Sequence, residues 1–156
     1  MTETTRAQIN DFLGQKRLAV VGVSRNAQDF SRTLFAELSK RGYDVVPVNP
    51  QASEVDGRQC YAHVQDIQPP VAGVLVMTSP HATDQVVRDC AEAGVTRVWM
   101  HRGEGIGSVS QPALDFCRAN QISVVAGFCP FMFLPGTPFF HRMHGFVKRL
   151  SGSYPS

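Results

Sequence analysis

Short apolar runs alternate with amphipathic stretches along most of the chain. Residues 17–22 read RLAVVG, an apolar run ending in glycine of the kind that forms a buried parallel strand. Residues 31–41 instead repeat Leu34, Phe35 and Leu38 at helical spacing and are followed by Gly42, a common stop signal for helices. The pattern therefore predicts a strand and then a helix in this part of the chain.

The same alternation continues to residue 126. It predicts strands at residues 17–22, 44–49, 73–78, 96–100 and 122–126, and helices at residues 6–15, 31–41, 79–94 and 110–120. Ser79 and Pro80 mark the start of the third helix with a capping hydroxyl and a proline. The connection over residues 50–70 is predicted to contain only a turn of helix, at residues 63–67.

Strands that alternate with helices of this length form right-handed βαβ units. We therefore predict an α/β fold: a Rossmann-like doubly wound parallel sheet in a three-layer α/β/α sandwich. The 156 residues, with 43% apolar and 18% charged, suit one globular domain. We expect that domain to span residues 1–156.

A C-terminal extension, residues 130–156, differs from the rest of the chain because it is rich in aromatic residues and its last part is basic. Its spacing is helical from Phe139 onward, so we expect it to cover the core or to form a homodimer interface. Its apolar residues are Phe131, Phe133, Phe139, Phe140, Met143, Phe146, Val147 and Leu150.

The formal charge of +2 is concentrated at the C-terminal end. Residues 141–156 contain three basic residues and no acid, which leaves 12 basic and 13 acidic residues in the preceding 140. A near-neutral body argues against a nucleic-acid binder. No apolar run reaches the ~18 residues of a transmembrane helix, and the polar start lacks a signal peptide's apolar core. The four cysteines form no CxxC pair, which favours reduced thiols in the cytoplasm.

The turn after the first strand is the predicted ligand site, since doubly wound sheets bind ligands beyond the carboxyl ends of their strands. Residues 22–31 read GVSRNAQDFS. Gly22 permits a tight turn, and the N-terminus of the next helix can hold a phosphate. A glycine that merely ends the strand, with solvated arginines, explains the turn equally well. The candidate phosphate ligands are Ser24, Ser31, Thr33, Arg25 and Arg32.

A comparison with the dinucleotide fingerprint GxGxxG narrows the ligand class. The fingerprint needs glycines where this chain has Ser24 and Ala27. Its second strand should also end in an acid that binds ribose, whereas this one ends PVNP at residues 47–50. An ordinary NAD site is therefore disfavoured, and other adenine nucleotides remain.

Five segments share their order and spacing with a known family. They are AVVGVSR (19–25), GYDVVPVNP (42–50), Gly57 with CY (60–61), MTSP (77–80) and Gly94 with VW (98–99). Over roughly residues 15–129 the chain resembles the single-domain bacterial CoA-binding proteins, which are similar to the CoA-binding domain of the succinyl-CoA synthetase alpha subunit. The GYxVxPVNP run is the most specific of the five.

The resemblance implies that the chain binds coenzyme A. It implies that the loop from Gly22 to Arg25 wraps the pyrophosphate, that the end of the second strand lines the adenosine, and that the end of the third strand lies along the pantetheine or adenine. The segment after the fourth strand departs from the family pattern, but Arg102 there can serve the 3′-phosphate and His101 can contact the ligand. The predicted CoA-binding residues are Gly22, Val23, Ser24, Arg25, Ser31, Arg32, Val48, Asn49, Pro50, Thr78, Ser79, Pro80, His101 and Arg102.

The acyl-CoA ligases of this superfamily use a catalytic histidine in an additional domain, so the resemblance implies a non-catalytic module that binds CoA or an acyl-CoA. We predict no catalytic residue, because no paired carboxylate or nucleophile suggests a triad with His101. We predict no metal site, because His141 and His144 lack the spacing of a zinc helix. Two other functions remain open: an NAD(P)-binding oxidoreductase or nucleotide-sugar enzyme fragment, and a redox-responsive interaction protein whose C-terminal extension docks a partner.

Two further expectations concern single residues. Cys90 and Cys117 lie on apolar helical stripes and should be buried, whereas Cys129, at the end of the fifth strand, should be exposed and able to form a mixed disulfide with CoA. Gly22→Val should block ligand binding without unfolding the sheet, because the valine side chain fills the space that the pyrophosphate needs.

Overall fold

The computed structural model describes residues 4–102 and 107–134, and a five-stranded sheet forms their centre. The strands are β1 (Arg17–Val21), β2 (Asp44–Val48), β3 (Glu54–Val55), β4 (Arg58–Gln59), β5 (Gly73–Val76), β6 (Arg97–His101) and β7 (Ser123–Phe128). The central sheet has the order β2-β1-β5-β6-β7 with every pair parallel, while β3 and β4 form a separate hairpin. The chain moves outward from β1 to β2 and returns to β5 on the other side of β1. The predicted Rossmann-like doubly wound fold is confirmed, with its switch point between β1 and β5.

Helices cover both faces of the sheet. They are α1 (Arg6–Leu13), α2 (Phe30–Lys40), α3 (Pro80–Glu92) and α4 (Gln111–Ala119), with short 3-10 turns at Val64–Asp66 and Pro130–Met132. The side chains of β1 alternate between the faces: Leu18 and Val20 pack with α1 and α2, and Ala19 and Val21 pack with α3 and α4. The main strands and helices all begin and end within two residues of their predicted bounds.

Two local predictions need correction. Ser79 occupies the N-cap position of α3, but its side chain makes no capping hydrogen bond, so the predicted hydroxyl cap is wrong. The connection after β2 contains the expected turn of helix and, in addition, the β3–β4 hairpin. Two-residue strands carry no readable periodicity, although Asp56-Gly57, both at positive φ, is a hairpin-turn signal.

Asp44 at the start of β2 ties this hairpin to the sheet. Its carboxylate accepts hydrogen bonds from Arg58 of β4 and from Arg17 of β1, the latter at 2.8 Å. The hydrogen bond from Arg58, together with Arg17, lowers the pKa of Asp44 below its usual value. The hairpin is thereby held against the edge strand β2, close to where β2 ends.

The described start of the C-terminal extension covers the core. Trp99 is fully buried in β6, donates from Nε1 to the Phe128 carbonyl at 2.8 Å, and packs on Phe133 with ring centroids 6.1 Å apart. Phe131 is also buried. The rest of the candidate homodimer segment, residues 135–156, including His141 and His144, lies outside the described residues. Within the described part of the chain, none of the helices combines the length and the apolar character that crossing a membrane requires.

Candidate functional site

A cleft of about 280 Å³ lies beyond the carboxyl ends of β1, β2 and β5, at the switch point. The predicted ligand residues that line it are Gly22, Val48, Asn49, Pro50 and Thr78. Another cavity, of about 310 Å³, lies beside edge strand β7 between α1 and α4. That cavity includes none of the predicted ligand residues, so the switch-point cleft is the candidate site.

Gly22 is where β1 turns into the cleft. Its φ is +94°, a conformation that favours glycine, and its amide donates to the Val48 carbonyl at 3.0 Å. A Cβ at this position would lie 3.0 Å from the Met77 carbonyl carbon and 3.2 Å from Thr78 Cγ2. The backbone of β1 can therefore pass this close to the end of β5 only with glycine at position 22.

The loop after Gly22 is shaped from beneath by Ser31. Its buried hydroxyl accepts a hydrogen bond from the Ser24 amide at 2.9 Å and donates to Asp29 Oδ1 at 2.7 Å. The same Asp29 oxygen caps α2 by accepting from the Ser31 amide at 2.9 Å. The Ser31 hydroxyl is thus used within the protein, and it holds Ser24 at the N-terminus of α2.

Arg32 braces the same loop from outside the cleft. Its guanidinium donates to the carbonyls of Ser24 and Arg25, both at 3.3 Å, and pairs with Asp56 in the hairpin turn. Asp56 compensates the charge of Arg32, whereas Arg25 is exposed at the loop. Of the two arginines predicted to meet a phosphate at this loop, Arg25 is the one presented to solvent.

Asn49 locks the end of β2 to the loop. Its Nδ2 donates to the Val23 carbonyl at 2.8 Å, and its backbone amide donates to the Tyr61 carbonyl at 2.9 Å. The Val23 side chain is fully buried in the core, so only its backbone belongs to the loop surface. Asn49 therefore lines the cleft and fixes the position of the loop from Gly22 to Arg25.

The end of β5 forms the third wall. Thr78 Oγ1 lies 2.9 Å from Thr83 Oγ1. Because the Thr83 hydroxyl donates its hydrogen to the Ser108 carbonyl at 2.7 Å, Thr78 is the donor in the hydrogen bond between the two threonines. Ser79 and Pro80 continue from this wall into α3 but do not line the cleft. These contacts tie the wall to α3 and to the segment after β6.

His101 and Arg102 lie at the end of β6, beside the N-terminus of α2. The His101 ring packs against Phe30 with centroids 5.8 Å apart, and Arg102 is exposed. Both residues lie outside the cleft lining. In the sheet order, β2 lies on one side of β1, and β5 and β6 lie on the other. His101 and Arg102 therefore lie on the side of the Gly22–Arg25 loop that faces away from β2.

The cleft lies within the span of a known family. The family model described as CoA binding domain matches residues 16–135, which include every predicted ligand residue. The chain belongs to the CoA-binding domain family. The resemblance inferred from the five sequence segments is therefore confirmed.

Relatives of this CoA-binding domain include proteins of similar size and part of a ligase. The chain is 25% identical over 130 residues to the uncharacterised protein YneT of Bacillus subtilis, covering 83% of this chain and 93% of that protein. A hypothetical protein from Pyrococcus horikoshii OT3 superimposes with a TM-score of 0.75 at 29% identity, over 83% of this chain and 94% of that one. The chain is also 26% identical over 93 residues to acetate–CoA ligase (ADP-forming) II of Archaeoglobus fulgidus, covering 58% of this chain and 14% of the ligase.

Sequence reasoning missed a second group of lining residues in this CoA-binding domain. His63, from the connection after β4, and Gln85 and Asp89, from α3, form a polar end of the cleft. Asp89 carried a readable signal, because it is a charged residue next to Cys90 on the apolar stripe of its helix. His63 carried none, since only the return of the hairpin brings it to the cleft.

All four cysteines of the CoA-binding domain are buried thiols. The predictions for Cys90 and Cys117 are confirmed, but the prediction that Cys129 is exposed is wrong: it is 2% exposed and packs in the same apolar cluster as Phe131. Burial raises the pKa of the Cys117 thiol to about 12 and also raises the pKa of Cys60 and of Cys90. Thiolate, the reactive form, is therefore scarce at neutral pH.

We expect oxidation of the folded protein with CoA to leave Cys129 unmodified, because CoA cannot reach its sulfur without opening of the core. Intact-mass spectrometry and peptide mapping after incubation with CoA disulfide measure this directly. The same treatment in denaturant, where all four thiols are accessible, is the positive control. A CoA adduct on Cys129 of the folded protein would contradict the expectation.

Proposed function

We propose that this chain binds coenzyme A in the switch-point cleft as a non-catalytic binding or regulatory module. The observation that carries the proposal is the convergence of residues from three separate strand ends. Gly22 follows β1, Asn49 follows β2 and Thr78 follows β5, and all three line one cleft. Each belongs to a segment that resembles the CoA-binding family.

The phosphate loop supports this ligand class. The loop from Gly22 to Arg25 precedes the N-terminus of α2, where backbone amides and the helix dipole favour an anion. Arg25 is exposed on it, and Arg102 is exposed at the end of β6. We assign the pyrophosphate to the loop and the 3′-phosphate to Arg102.

The relatives differ in how much of their own length they share with this chain. The ligase relative resembles this chain over only 14% of its own length, whereas YneT is matched over 93% of its length. An acyl-CoA is a second candidate ligand. Its acyl group lies at the opposite end of the molecule from the phosphates, so the contacts of the phosphates would be the same as in CoA. Competition by acetyl-CoA in the titration below distinguishes the free thiol from the thioester.

Isothermal titration with CoA and with 3′-dephospho-CoA tests the proposal. We expect CoA to bind up to about fivefold more tightly, because a solvent-exposed ion pair contributes about 1 kcal/mol at most. Arg102→Ala should remove this preference while leaving the affinity for 3′-dephospho-CoA unchanged. Arg118→Ala is the matched control, because Arg118 is an exposed arginine in the last turn of α4, which leads into the start of β7.

Two results would contradict the proposal at different levels. An unchanged preference in Arg102→Ala would move the 3′-phosphate to another cation. Binding of NAD or NADP without binding of CoA would replace the CoA module with the oxidoreductase-type alternative.

A further inference from the structure

The polar end of the cleft contains the carboxylate of Asp89, which has no role in the proposed binding of the pyrophosphate. Asp89 is 8% exposed and lines the cleft from α3. Its Oδ1 accepts hydrogen bonds from Gln85 Nε2 at 3.0 Å and from Gln65 Nε2 at 3.3 Å. Its Oδ2 faces His63 Nδ1 at 3.8 Å, which is beyond hydrogen-bond distance. One carboxylate oxygen is thus held by two amides, while the other has no donor within hydrogen-bond distance among the described residues.

Apolar side chains form the neighbouring walls of the cleft. Val48 and Pro50 come from the end of β2, and Ala82 and Val86 come from α3. Apolar walls with a few convergent polar groups are typical of a small-molecule pocket, in which the polar groups fix the orientation of the ligand. A buried carboxylate also needs donors, because burying an incompletely paired charge is costly. The polar end therefore favours a ligand group that supplies N–H bonds.

The chemistry of CoA then selects one of its parts. Its phosphates are anionic acceptors, which a carboxylate repels, and its thiol is a weak donor. Each pantetheine amide offers a single N–H beside its own carbonyl, and the ribose and pantoyl hydroxyls each offer one O–H on a group that is not planar. The adenine ring is flat and apolar on its faces, and its exocyclic amine presents two N–H donors at one edge. Adenine is the part of CoA that matches both the walls and the end of this cleft.

Resting on the CoA-binding function proposed above, we infer that Asp89 recognises the adenine base by accepting a hydrogen bond from its exocyclic amine at Oδ2. Gln85 and Gln65 position the carboxylate through Oδ1. A base with a keto oxygen in place of the amine, such as hypoxanthine or guanine, would meet the carboxylate with two acceptors facing each other. The cleft is therefore selective for 6-aminopurine nucleotides over 6-oxopurine nucleotides.

The test compares CoA with its hypoxanthine analogue by isothermal titration. We expect the unmodified protein to bind CoA about 10- to 100-fold more tightly, which is the effect of losing a hydrogen bond to a charged group. Asp89→Asn should remove most of that ratio, because an asparagine amide can donate to the keto oxygen. Glu92→Gln is the matched control: it makes the same change on the same helix, at a residue that also accepts from Gln65 but lies outside the cleft.

A second probe does not depend on any variant folding. CoA that carries etheno-adenine has no N–H on the former amine, so the unmodified protein should bind it as weakly as the hypoxanthine analogue. Equal affinity for CoA and both analogues would overturn the role of Asp89 while leaving CoA binding intact. A CoA preference that persists in folded Asp89→Asn would overturn it as well. Absence of CoA binding would instead overturn the proposed function.

Discussion

Gly22→Val is expected to abolish CoA binding and to lower the free energy of unfolding by about 2–5 kcal/mol. A β-branched residue is strained at a φ of +94°, and its Cβ would lie 3.0 Å from the Met77 carbonyl carbon. The added methyl groups would occupy the rim of the cleft where the pyrophosphate loop begins. Urea denaturation and titration with CoA measure the two effects separately.

From the sequence, we expect Gly22→Val to block ligand binding without unfolding the sheet. The structure adds the expectation that this substitution also lowers the stability of the protein. The close approach of β1 to the end of β5 makes loss of binding and loss of stability occur together. Gly42→Val separates them, because Gly42 has a similar φ of +97° with nothing within 4 Å of its Cβ position. That control should show backbone strain alone and full CoA affinity. Equal stability of the two variants, or wild-type CoA affinity in Gly22→Val, would contradict the assigned role of Gly22.

Ser31→Ala is expected to weaken CoA binding by about 10- to 100-fold although Ser31 does not need to touch the ligand. The substitution removes the hydroxyl that accepts from the Ser24 amide at 2.9 Å and donates to Asp29. Loss of these two hydrogen bonds, one of them to a carboxylate, costs about 1–3 kcal/mol, and the loop would relax from the shape that receives the pyrophosphate. Titration with CoA gives the affinity, and thermal unfolding gives the accompanying loss of stability.

Ser39→Ala provides the matched control for this prediction. Ser39 lies on the same helix but is exposed and far from the loop. Its replacement should change neither CoA affinity nor stability measurably. Unchanged CoA affinity in a folded Ser31→Ala variant would show that the loop keeps its shape without the hydroxyl, and would remove Ser31 from the site.

The course of the chain up to residue 134 could be predicted largely because its signals are local. The run of residues 17–22 is apolar on both faces, and α2 repeats Leu34, Phe35 and Leu38 at helical spacing, whatever lies elsewhere in the sequence. These periods determine which residues are buried. The β3–β4 hairpin was missed because its strands are too short to show a period.

The partners of the site residues could not be predicted in the same way. The sequence shows that Ser31 carries a hydroxyl and that Arg32 carries a charge, but it does not show which groups these side chains contact. Ser31 faces Asp29 and the Ser24 amide, and Arg32 pairs with Asp56 in a hairpin 24 residues away. Both residues therefore support the loop from within the protein, which depends on how the hairpin folds back.

Cys129 and Asp89 are two further residues whose surroundings could not be predicted from the sequence. Cys129 follows the last strand, where exposure is a reasonable expectation, but residues 130–134 fold over it. Asp89 lies on an apolar helical stripe, yet the right-handed crossover from β5 to β6 places it at the cleft beside His63. The sequence by itself determined the strand and helix order, the glycine turn after β1 and the family, because each depends on neighbours along the chain. Only the tertiary structure decided which polar groups meet in the cleft, because contacts between distant segments depend on how the sheet and its crossovers pack.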